Sequence, residues 1–523
     1  MFDWRRHRKW SFAILALAAP GLFLLWEHFH GTWALARWKR QLISHGEKLT
    51  IEANTPAPAK GPGQNQFRAL LDLGRVPDPL LPARLVPPGF LFQSAGHVFT
   101  INVLTNWTRE QAPAGAPKDD WQTLRLELAN GTNRLEHARA LLRQPVLEPN
   151  FDYSGLSRPM MHLAPLRSLA QHLKLTALLD VHDGRWAEAT GKIRDILQIA
   201  RVLQKEPLVH SQTTCHTIID GALQATWQLL QADSTRSDGP EAALAELQRA
   251  WQSSESIKPM LQALEMERAL SIDVYSSMRS SVNLTVDLLI SFGRPVTPTS
   301  SSSADSTEPL IDYVGYQGGQ MLGRGVYVPI WQFAWSQAEE LDHLECVQLL
   351  IDAARVCVRD ASAASTHLAT QEYTKRVRPS GGWLQHWQRL MFHALASGLE
   401  QSFKRAINAD AERELAVAAI AIQRYKLQYG KPPATLATLV PEFVPVIPQD
   451  VWSGRPLSYR ADSTNGVLLY SVGSDGQDNG GDATPSDSLN AKLLFLEGHD
   501  IVWPRPAAPS PVPSHPSPVP SPQ

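Results

Sequence analysis

The chain has 523 residues, with 49 lysines and arginines against 51 aspartates and glutamates, and its formal net charge is −2. This length predicts two or three domains, and a hydrophobic content of 43% is enough to build their cores. The balanced charge argues against a nucleic-acid-binding protein, since that function needs a concentrated positive surface.

A strongly apolar run, WSFAILALAAPGLFLLW, occupies residues 10–26 and contains no charged residue. Its length is at the short end of what spans a hydrocarbon core of about 30 Å. Trp10 and Trp26 end the run, and indole rings favour the membrane interface. Four cations precede it: Arg5, Arg6, Arg8 and Lys9. Residues 1–30 are therefore predicted to be a cytoplasmic basic flank and a transmembrane anchor in the lipid bilayer.

A cleaved signal peptide and a buried core helix are the alternatives for this run. The nearest small-x-small cleavage pattern, at residues 34–36, lies further beyond the run than such a site normally does. The basic flank and the terminal position disfavour a buried helix. The chain is thus predicted to be a single-pass inner membrane protein with its bulk in the periplasm. Three cations after the run weaken this orientation: Arg37, Lys39 and Arg40.

Residues 31–120 are predicted to hold a helix that leaves the membrane, over 31–50, followed by an irregular or β segment. Proline and glycine in residues 54–64 interrupt the helix. Weak alternation of apolar and polar residues over 96–107 predicts one or two strands.

Residues 121–400 show helical periodicity and predict a mainly α body. Leucine recurs at helical spacing over 163–179, and after a turn at 182–184 the period resumes until Pro207. This pattern predicts a helical hairpin, while its similarity to one tetratricopeptide unit leaves a solenoid-like body as the alternative. The serine-rich stretch 295–309 predicts a flexible loop. Further helices are predicted over 212–232, 240–253, 258–278, 331–362 and 383–429.

Catalytic and metal-binding patterns are sparse in this body. His162, His172 and His182 recur every ten residues, so they do not share one face of a helix. Adjacent Cys215 and His216 would point about 100° apart on a helix and do not form a nucleophile with its base. No catalytic or cofactor-binding residue is assigned. The three cysteines are predicted to be buried, reduced thiols: Cys215, Cys346 and Cys357.

Residues 401–503 predict a small α+β domain. A helix ends at Gly430, a residue suited to the position after a helix, and strands are predicted over 456–459 and 467–472. Short strands are also predicted at 493–496 and 500–503. Residues 504–523 are mostly proline, serine, alanine and valine, and they predict a disordered tail.

Several motifs of this module follow one another in a specific order. They are Tyr-Gly-x-x-Pro, Ile-Pro-x-Asp-x-Trp-x-Gly-x-Pro-Leu-x-Tyr, Leu-Tyr-Ser-x-Gly and Asp-Gly-x-Asp-x-Gly-Gly. In this combination residues 412–503 resemble the C-terminal domain of the major pseudopilin of type II secretion systems. The whole chain also resembles uncharacterised membrane-anchored proteins of planctomycete and verrucomicrobial bacteria.

The resemblance implies a calcium site in the loop after the last long strand. In the matching stretch, residues 474–482, the carboxylates would come from Asp475, Asp478 and Asp482. Carboxylate and carbonyl oxygens are the ligands that calcium prefers. A solvated acidic turn is the alternative, because aspartate, asparagine and glycine also favour turns.

Two features depart from the pseudopilin pattern. A pseudopilin has a glutamate at the fifth residue after its cleavage glycine, whereas Glu27 is the sixth residue after Gly21. Residues 27–411 also separate the apolar run from the module, whereas a pseudopilin joins the two in one helix. Assembly into a pilus-like fibre is therefore an alternative and not the principal prediction.

Together these patterns predict an exported, membrane-tethered, non-enzymatic scaffold that binds envelope proteins and is associated with type II secretion or pilus-like machinery. The alternative is an envelope enzyme, a hydrolase, with a site formed by scattered residues of the helical body. A deep cleft that gathers buried Asp, Glu and His with shifted pKa would favour the enzyme. A shallow body without such a cleft would favour the scaffold.

Overall fold

A computed structural model describes residues 4–57, 63–74, 90–94, 97–101, 120–129, 131–144, 153, 160–231, 240–293, 323–378, 385, 388–396, 398–462, 466–482 and 500–503. Within these residues the chain is mainly α-helical, as its periodicity predicts.

The first eleven helices are α1 (Trp4–Ser44), α2 (Ile51–Asn54), α3 (Gly63–Gly74), α4 (Asp120–Ala129), α5 (Thr132–Leu142), α6 (Leu163–His182), α7 (Trp186–Gln204), α8 (Val209–Gln231), α9 (Pro240–Gln252), α10 (Ile257–Ser280) and α11 (Val282–Gly293). Two π-helical turns, Gly323–Tyr327 and Trp331–Trp335, flank the short turn Val328–Ile330 and lead into the next helix. The remaining helices are α12 (Ser336–Asp360), α13 (His367–Val377), α14 (Leu390–Ala396) and α15 (Leu399–Tyr429).

The predicted hairpin is formed by α6 and α7. Gly184 adopts a φ of 75° between the two helices, a left-handed conformation that glycine takes without steric cost. The amide of Arg185 donates to the carbonyl oxygen of Asp180 at 2.8 Å, which closes the end of α6. The hairpin does not stand alone, because its buried leucines and isoleucines share one core with α3, α5, α8 and α9.

Helix α15 joins two hydrophobic cores. Its second half, around Leu415 and Ile420, packs into the core of the α6–α7 hairpin. Its first half, around Phe403 and Ile407, packs into a second core built from α10 and α12. Because both halves are buried against other helices, α15 runs through the interior of the described structure and not along its surface.

The C-terminal residues form a three-stranded antiparallel sheet in the order β3 (Ser458–Asp462), β4 (Gly466–Ser471), β5 (Ile501–Val502). Three residues of this region are buried in the core that contains the second half of α15: Leu457 just before β3, Leu469 in β4 and Trp503 just after β5. The helix therefore ties the sheet to the helical body. A separate two-stranded hairpin pairs β1 (Phe90–Ser94) with β2 (His97–Ile101), and β2 falls within the predicted strand region 96–107.

Some sequence-based boundaries differ from the structure. The predicted helix 383–429 is interrupted at Gly398, whose φ of 88° ends α14 and starts α15. The predicted strand 456–459 begins two residues later and extends to Asp462. Residues 63–74 form a helix in a region predicted to be irregular. Gly430 adopts a φ of 74° at the end of α15, in agreement with its predicted role.

The predicted membrane span lies in α1, which is one helix from Trp4 to Ser44. Within the described residues, no helix meets the length and hydropathy criteria for crossing a membrane. The side chains of residues 4–17, which include the first half of the apolar run, lie outside the described part, and the anchor stays a prediction. The serine-rich stretch 295–309, the strand at 493–496 and the tail 504–523 also lie outside it.

The contact between α3 and α6 gives a test of the packing. A Cβ added at Gly74 would lie 2.5 Å from the carbonyl oxygen of Pro165, closer than a real Cβ approaches. We expect Gly74→Ala to lower the free energy of unfolding by about 1–3 kcal/mol, because the two helices must separate to accommodate it.

The measurement is the urea midpoint of the purified full chain, with Gly131→Ala as the matched control. The nearest atom to a Cβ at Gly131 is 3.7 Å away, an ordinary contact distance. Equal midpoints for both variants would contradict the close approach of α3 and α6.

Candidate functional site

The predicted calcium ligands lie on the loop after β4, and each of these residues already forms hydrogen bonds within the protein. Asp475 accepts hydrogen bonds from the amide of Gln477 at 2.9 Å and from the side-chain amide of Asn479 at 3.1 Å. Asp478 accepts from the Tyr470 hydroxyl at 2.8 Å and from a backbone amide two residues later. These donors hold the pKa of Asp478 below its usual value, so it is ionised at neutral pH.

Asp500 holds this loop in place through hydrogen bonds, although its sequence pattern predicted only a short strand. Its carboxylate is buried and accepts from the amides of Asn479 at 3.3 Å, Gly481 at 2.7 Å and Asp482 at 3.2 Å. Its own amide donates to the carbonyl oxygen of Asp482 at 2.8 Å. Among the described residues, no group of three or more His, Cys, Asp or Glu side chains is arranged to hold a metal ion.

Asp450 and Trp452 of the Ile-Pro-x-Asp-x-Trp motif have structural partners. The Asp450 carboxylate is buried and accepts from the amides of Trp452 at 3.0 Å and Val472 at 3.1 Å, and from the Ser471 hydroxyl at 2.6 Å. The Trp452 indole N–H donates to the side-chain oxygen of Asn408 on α15 at 2.9 Å. The motif thus connects the loop before β3 to the end of β4 and to α15.

A buried group of ionisable side chains lies where α6, α8 and α15 meet. Lys174 comes from α6, His216 and Asp220 from α8, and Glu412 from α15. Lys174, His216 and Glu412 are buried, and the Lys174 ammonium donates to the side-chain oxygen of Gln224 at 3.2 Å. Sequence spacing could not reveal this group, because its members are brought together from three separate helices.

The carboxyls of this group are held partly in the neutral form. Burial raises the pKa of Asp220 to about 7, although Arg405 and Lys174 oppose the shift. Burial, and then the adjacent charge of Asp220, raise the pKa of Glu412 well above its usual value. The raised pKa favours the protonated form of Glu412, whose hydrogen bond to the Asp220 carboxylate lets the two acids share one proton.

The same cause, burial, lowers the pKa values of the two bases of the group. Burial lowers the pKa of Lys174 to about 7 and that of His216 to about 3. His216 is thus neutral at physiological pH. The adjacent Cys215 is buried, and its thiol donates to the carbonyl oxygen of Ala200 at 3.4 Å, so the pair is not a nucleophile with its base.

The other sequence-derived histidines have separate roles. His162 Nε2 lies 2.8 Å from a carboxylate oxygen of Glu206, and His172 Nδ1 donates to the carbonyl oxygen of Ser168 at 3.1 Å. All three cysteines are buried and free, as predicted.

An open groove of about 440 Å³ lies between α10, α12, α15 and residues 444–451. Three of its charged groups bind one another: Arg413 lies 3.3 Å from Asp410 and 2.9 Å from Glu414. Asp410 also accepts from the amides of Ser256 and Ile257 at the start of α10. Burial raises the pKa of each of these two acids above its usual value. The Asp220–Glu412 pair does not line this groove, so the described structure has shifted acids in two separate places.

Helix α1 is attached to the body along its second half. A Cβ at Gly31 would lie 3.2 Å from the amide nitrogen of Ala338, so glycine permits the close approach of α1 to α12. His28 Nδ1 donates to the carbonyl oxygen of Phe333 at 2.6 Å, and the two rings stack at 4.7 Å. Lys39 forms an ion pair with the buried Glu340.

A second set of ion pairs fixes the segment after α1. Glu47 binds Arg268 at 2.8 Å and Arg355 at 2.5 Å, and these guanidinium groups hold its pKa down at about 2. Glu340 in turn accepts from Arg279 at 2.6 Å as well as from Lys39. Partly buried, charge-assisted contacts of this kind are stronger than exposed ion pairs.

The middle of α1 also exposes apolar side chains to solvent. From residue 18 onward it presents a series of exposed apolar side chains: Leu22, Phe23, Leu25, Trp26, Phe29 and Trp33. A cluster of this kind on one element is unusual for a surface in water and typically marks an interaction site.

The Asp220–Glu412 pair predicts a specific pH dependence. Both folded-state pKa values lie above the unfolded value of about 4, so the folded protein binds more protons than the unfolded chain above that pH. Stability contributed by the pair is therefore full at low pH and falls as pH rises through the folded pKa. The slope is at most about 1.4 kcal/mol per pH unit for one proton.

We expect Glu412→Gln, which keeps a donor for Asp220 but takes up no proton, to reduce this loss. The free energy of unfolding, measured by urea titration at pH 5 and pH 8, should fall less in the variant than in the wild type. Lys174 is unchanged in both proteins, and Glu246→Gln at an exposed ion pair is the control. Identical pH dependence in the wild type and Glu412→Gln would exclude the shared proton.

Comparisons with known proteins do not assign this chain to a family. Scans of protein-family models, curated proteins and solved structures found no match. The pseudopilin-like identity of residues 412–503 therefore stays a prediction from their motifs.

Proposed function

We propose that the protein is a membrane-tethered, non-enzymatic scaffold of the bacterial envelope, with α1 as its single anchor in the inner membrane and its body in the periplasm. The exposed apolar side chains of α1 are the observation that supports this proposal. They lie between Leu22 and Trp33, while neighbouring residues of the same helix, among them His28 and Gly31, contact the body, and Lys39 forms an ion pair with it.

The exposed apolar side chains of α1 give an energetic reason for membrane insertion. Moving apolar surface out of water is favourable by about 25 cal/mol per Å². Leu22, Leu25 and Phe29 leave such surface uncovered in the described structure. Insertion into a bilayer would cover it, and the cations before the run would remain in the cytoplasm.

The positions of the ionisable groups favour the scaffold over the hydrolase. An enzyme needs its acid and base to reach a substrate in a concave site. The Asp220–Glu412 pair has the shifted pKa values of such a site but is packed between helices. In the groove, Asp410 and Glu414 also have raised pKa values, but both are bound to Arg413, and Asp410 also accepts from backbone amides. Substrate entry beside Glu412 would reverse this preference.

The partners are proposed from the C-terminal module. Its motifs support an association with envelope proteins of type II secretion or pilus-like machinery, and its helix followed by an antiparallel sheet fits the α+β arrangement expected of it.

Calcium is proposed for the loop 474–482. Asp475 and Asp478 are carboxylates of the kind that a hard cation prefers. They already accept amide hydrogens, and Asp482 is held by its backbone to Asp500. Binding would therefore require the loop to exchange these hydrogen bonds for contacts with the ion.

The anchor is tested by charges on the exposed face of α1. We expect the double variant Leu22→Arg, Leu25→Arg to lower the carbonate-resistant membrane fraction by about tenfold, because each arginine costs on the order of 2 kcal/mol or more in the hydrocarbon. The matched control is Leu368→Arg with Val446→Arg, two apolar positions elsewhere that are more exposed than Leu22 and Leu25.

Complete extraction of the wild type by carbonate would contradict the anchor, as would equal retention of the charged variant. The intact mass of the mature protein separates the alternatives: a full N-terminus supports an uncleaved anchor, and cleavage after Gly21 supports pseudopilin assembly.

The calcium proposal predicts that a chelator lowers the melting temperature of the full chain and that added calcium restores it. The double variant Asp475→Ala, Asp478→Ala should not respond, because it lacks the two carboxylates. Asp352→Ala, at an exposed acid far along the chain, should respond like the wild type. No shift in the wild type on chelation would remove calcium from this loop.

A further inference from the structure

The body of the protein reaches the level of the predicted membrane span. Leu24, which lies inside the apolar run 10–26, packs against a cluster that contains Tyr275, Tyr327 and Trp331. These three residues belong to α10 and to the π-helical turns before α12. If α1 spans the bilayer, this part of the body lies directly beside the membrane surface.

The position along α1 can be estimated from helix geometry. Consecutive residues rise about 1.5 Å, so Leu24 and His28 each lie about 3 Å along the axis from Trp26, the last residue of the run. His28 contacts Phe333 through a hydrogen bond and a ring stack. The turn that carries Phe333 is therefore level with the end of the span, where the headgroup region begins.

Apolar side chains of this end of the body are exposed. Val326 is 55% exposed, Phe333 45% and Val282 39%. Val326 precedes Tyr327, a member of the cluster that holds Leu24, and Arg324, two residues before Val326, is exposed as well. Helix α11, which starts at Val282, packs on the same cluster through Leu284 and Leu288.

We propose that this face, defined by Val282, Val326 and Phe333, rests in the interfacial region of the bilayer beside α1. Apolar side chains buried 5–10 Å into the headgroup and acyl boundary, with cations near the phosphates, are typical of monotopic membrane contacts. The face adjoins α1 at His28, beside the exposed apolar side chains of Trp26 and Phe29, and this continuity with the proposed anchor identifies lipid as the occupant. The inference rests on the anchor proposed above and adds a second, peripheral contact to it.

The three native cysteines make a site-directed test practical. Cys215, Cys346 and Cys357 are buried, with at most 1% exposure, so they should not react with a thiol dye in the folded protein. Val326→Cys and Phe333→Cys place single reactive thiols on the proposed face. Leu368→Cys and Val446→Cys are matched controls, because both side chains are more exposed than those of the proposed face.

Each full-length variant is labelled with an environment-sensitive fluorophore and reconstituted into phosphatidylcholine–phosphatidylglycerol vesicles. Spin-labelled lipids should quench the dye at Val326→Cys and Phe333→Cys by about twofold, with blue-shifted emission, and leave both controls unquenched. Emission at both positions equal to that of the controls, in protein that still floats with the vesicles, would overturn the second contact and leave the anchor intact. Protein that does not float with the vesicles would overturn the anchor and this inference together.

Discussion

The burial of α15 on both of its halves is the constraint on which the rest of the described structure depends. One half lies in the core of the α6–α7 hairpin and the other in the core of α10 and α12. A helix in such a position must satisfy its polar side chains inside the protein. Asp410 therefore binds the first amides of α10, Asn408 accepts from Trp452, and Glu412 pairs with Asp220.

These interior polar contacts explain how one helix can organise several elements. Buried charges are costly without partners, and their removal leaves the remaining partner unsatisfied. Each contact of α15 consequently fixes a different neighbour: the start of α10, the loop before β3, and α8. The same contacts give a structural reason for strongly shifted pKa values, so these values alone do not identify an enzyme.

Periodicity was sufficient to predict the main helices, the α6–α7 hairpin and the buried cysteines, because these depend on local spacing and hydrophobicity. Periodicity did not predict the break at Gly398, where the left-handed backbone of one glycine divides a helix that was predicted to be continuous. It could not find the Asp220–Glu412 pair or the role of Asp500, because their partners are distant in sequence. The acidic residues of loop 474–482 looked like ligands in sequence, yet their described partners are mostly amide hydrogens of the loop itself.

Gly31 gives α1 a fixed register on the body. A shift of α1 by one residue would turn it by about 100° and translate it by about 1.5 Å, which would carry Gly31 away from Ala338 and Lys39 away from Glu340. If α1 is the anchor proposed above, its immersion depth is set in discrete steps by protein packing and not adjusted freely to lipid thickness. In membranes of different thickness, the bilayer would then have to deform around this protein, since the helix cannot slide to compensate.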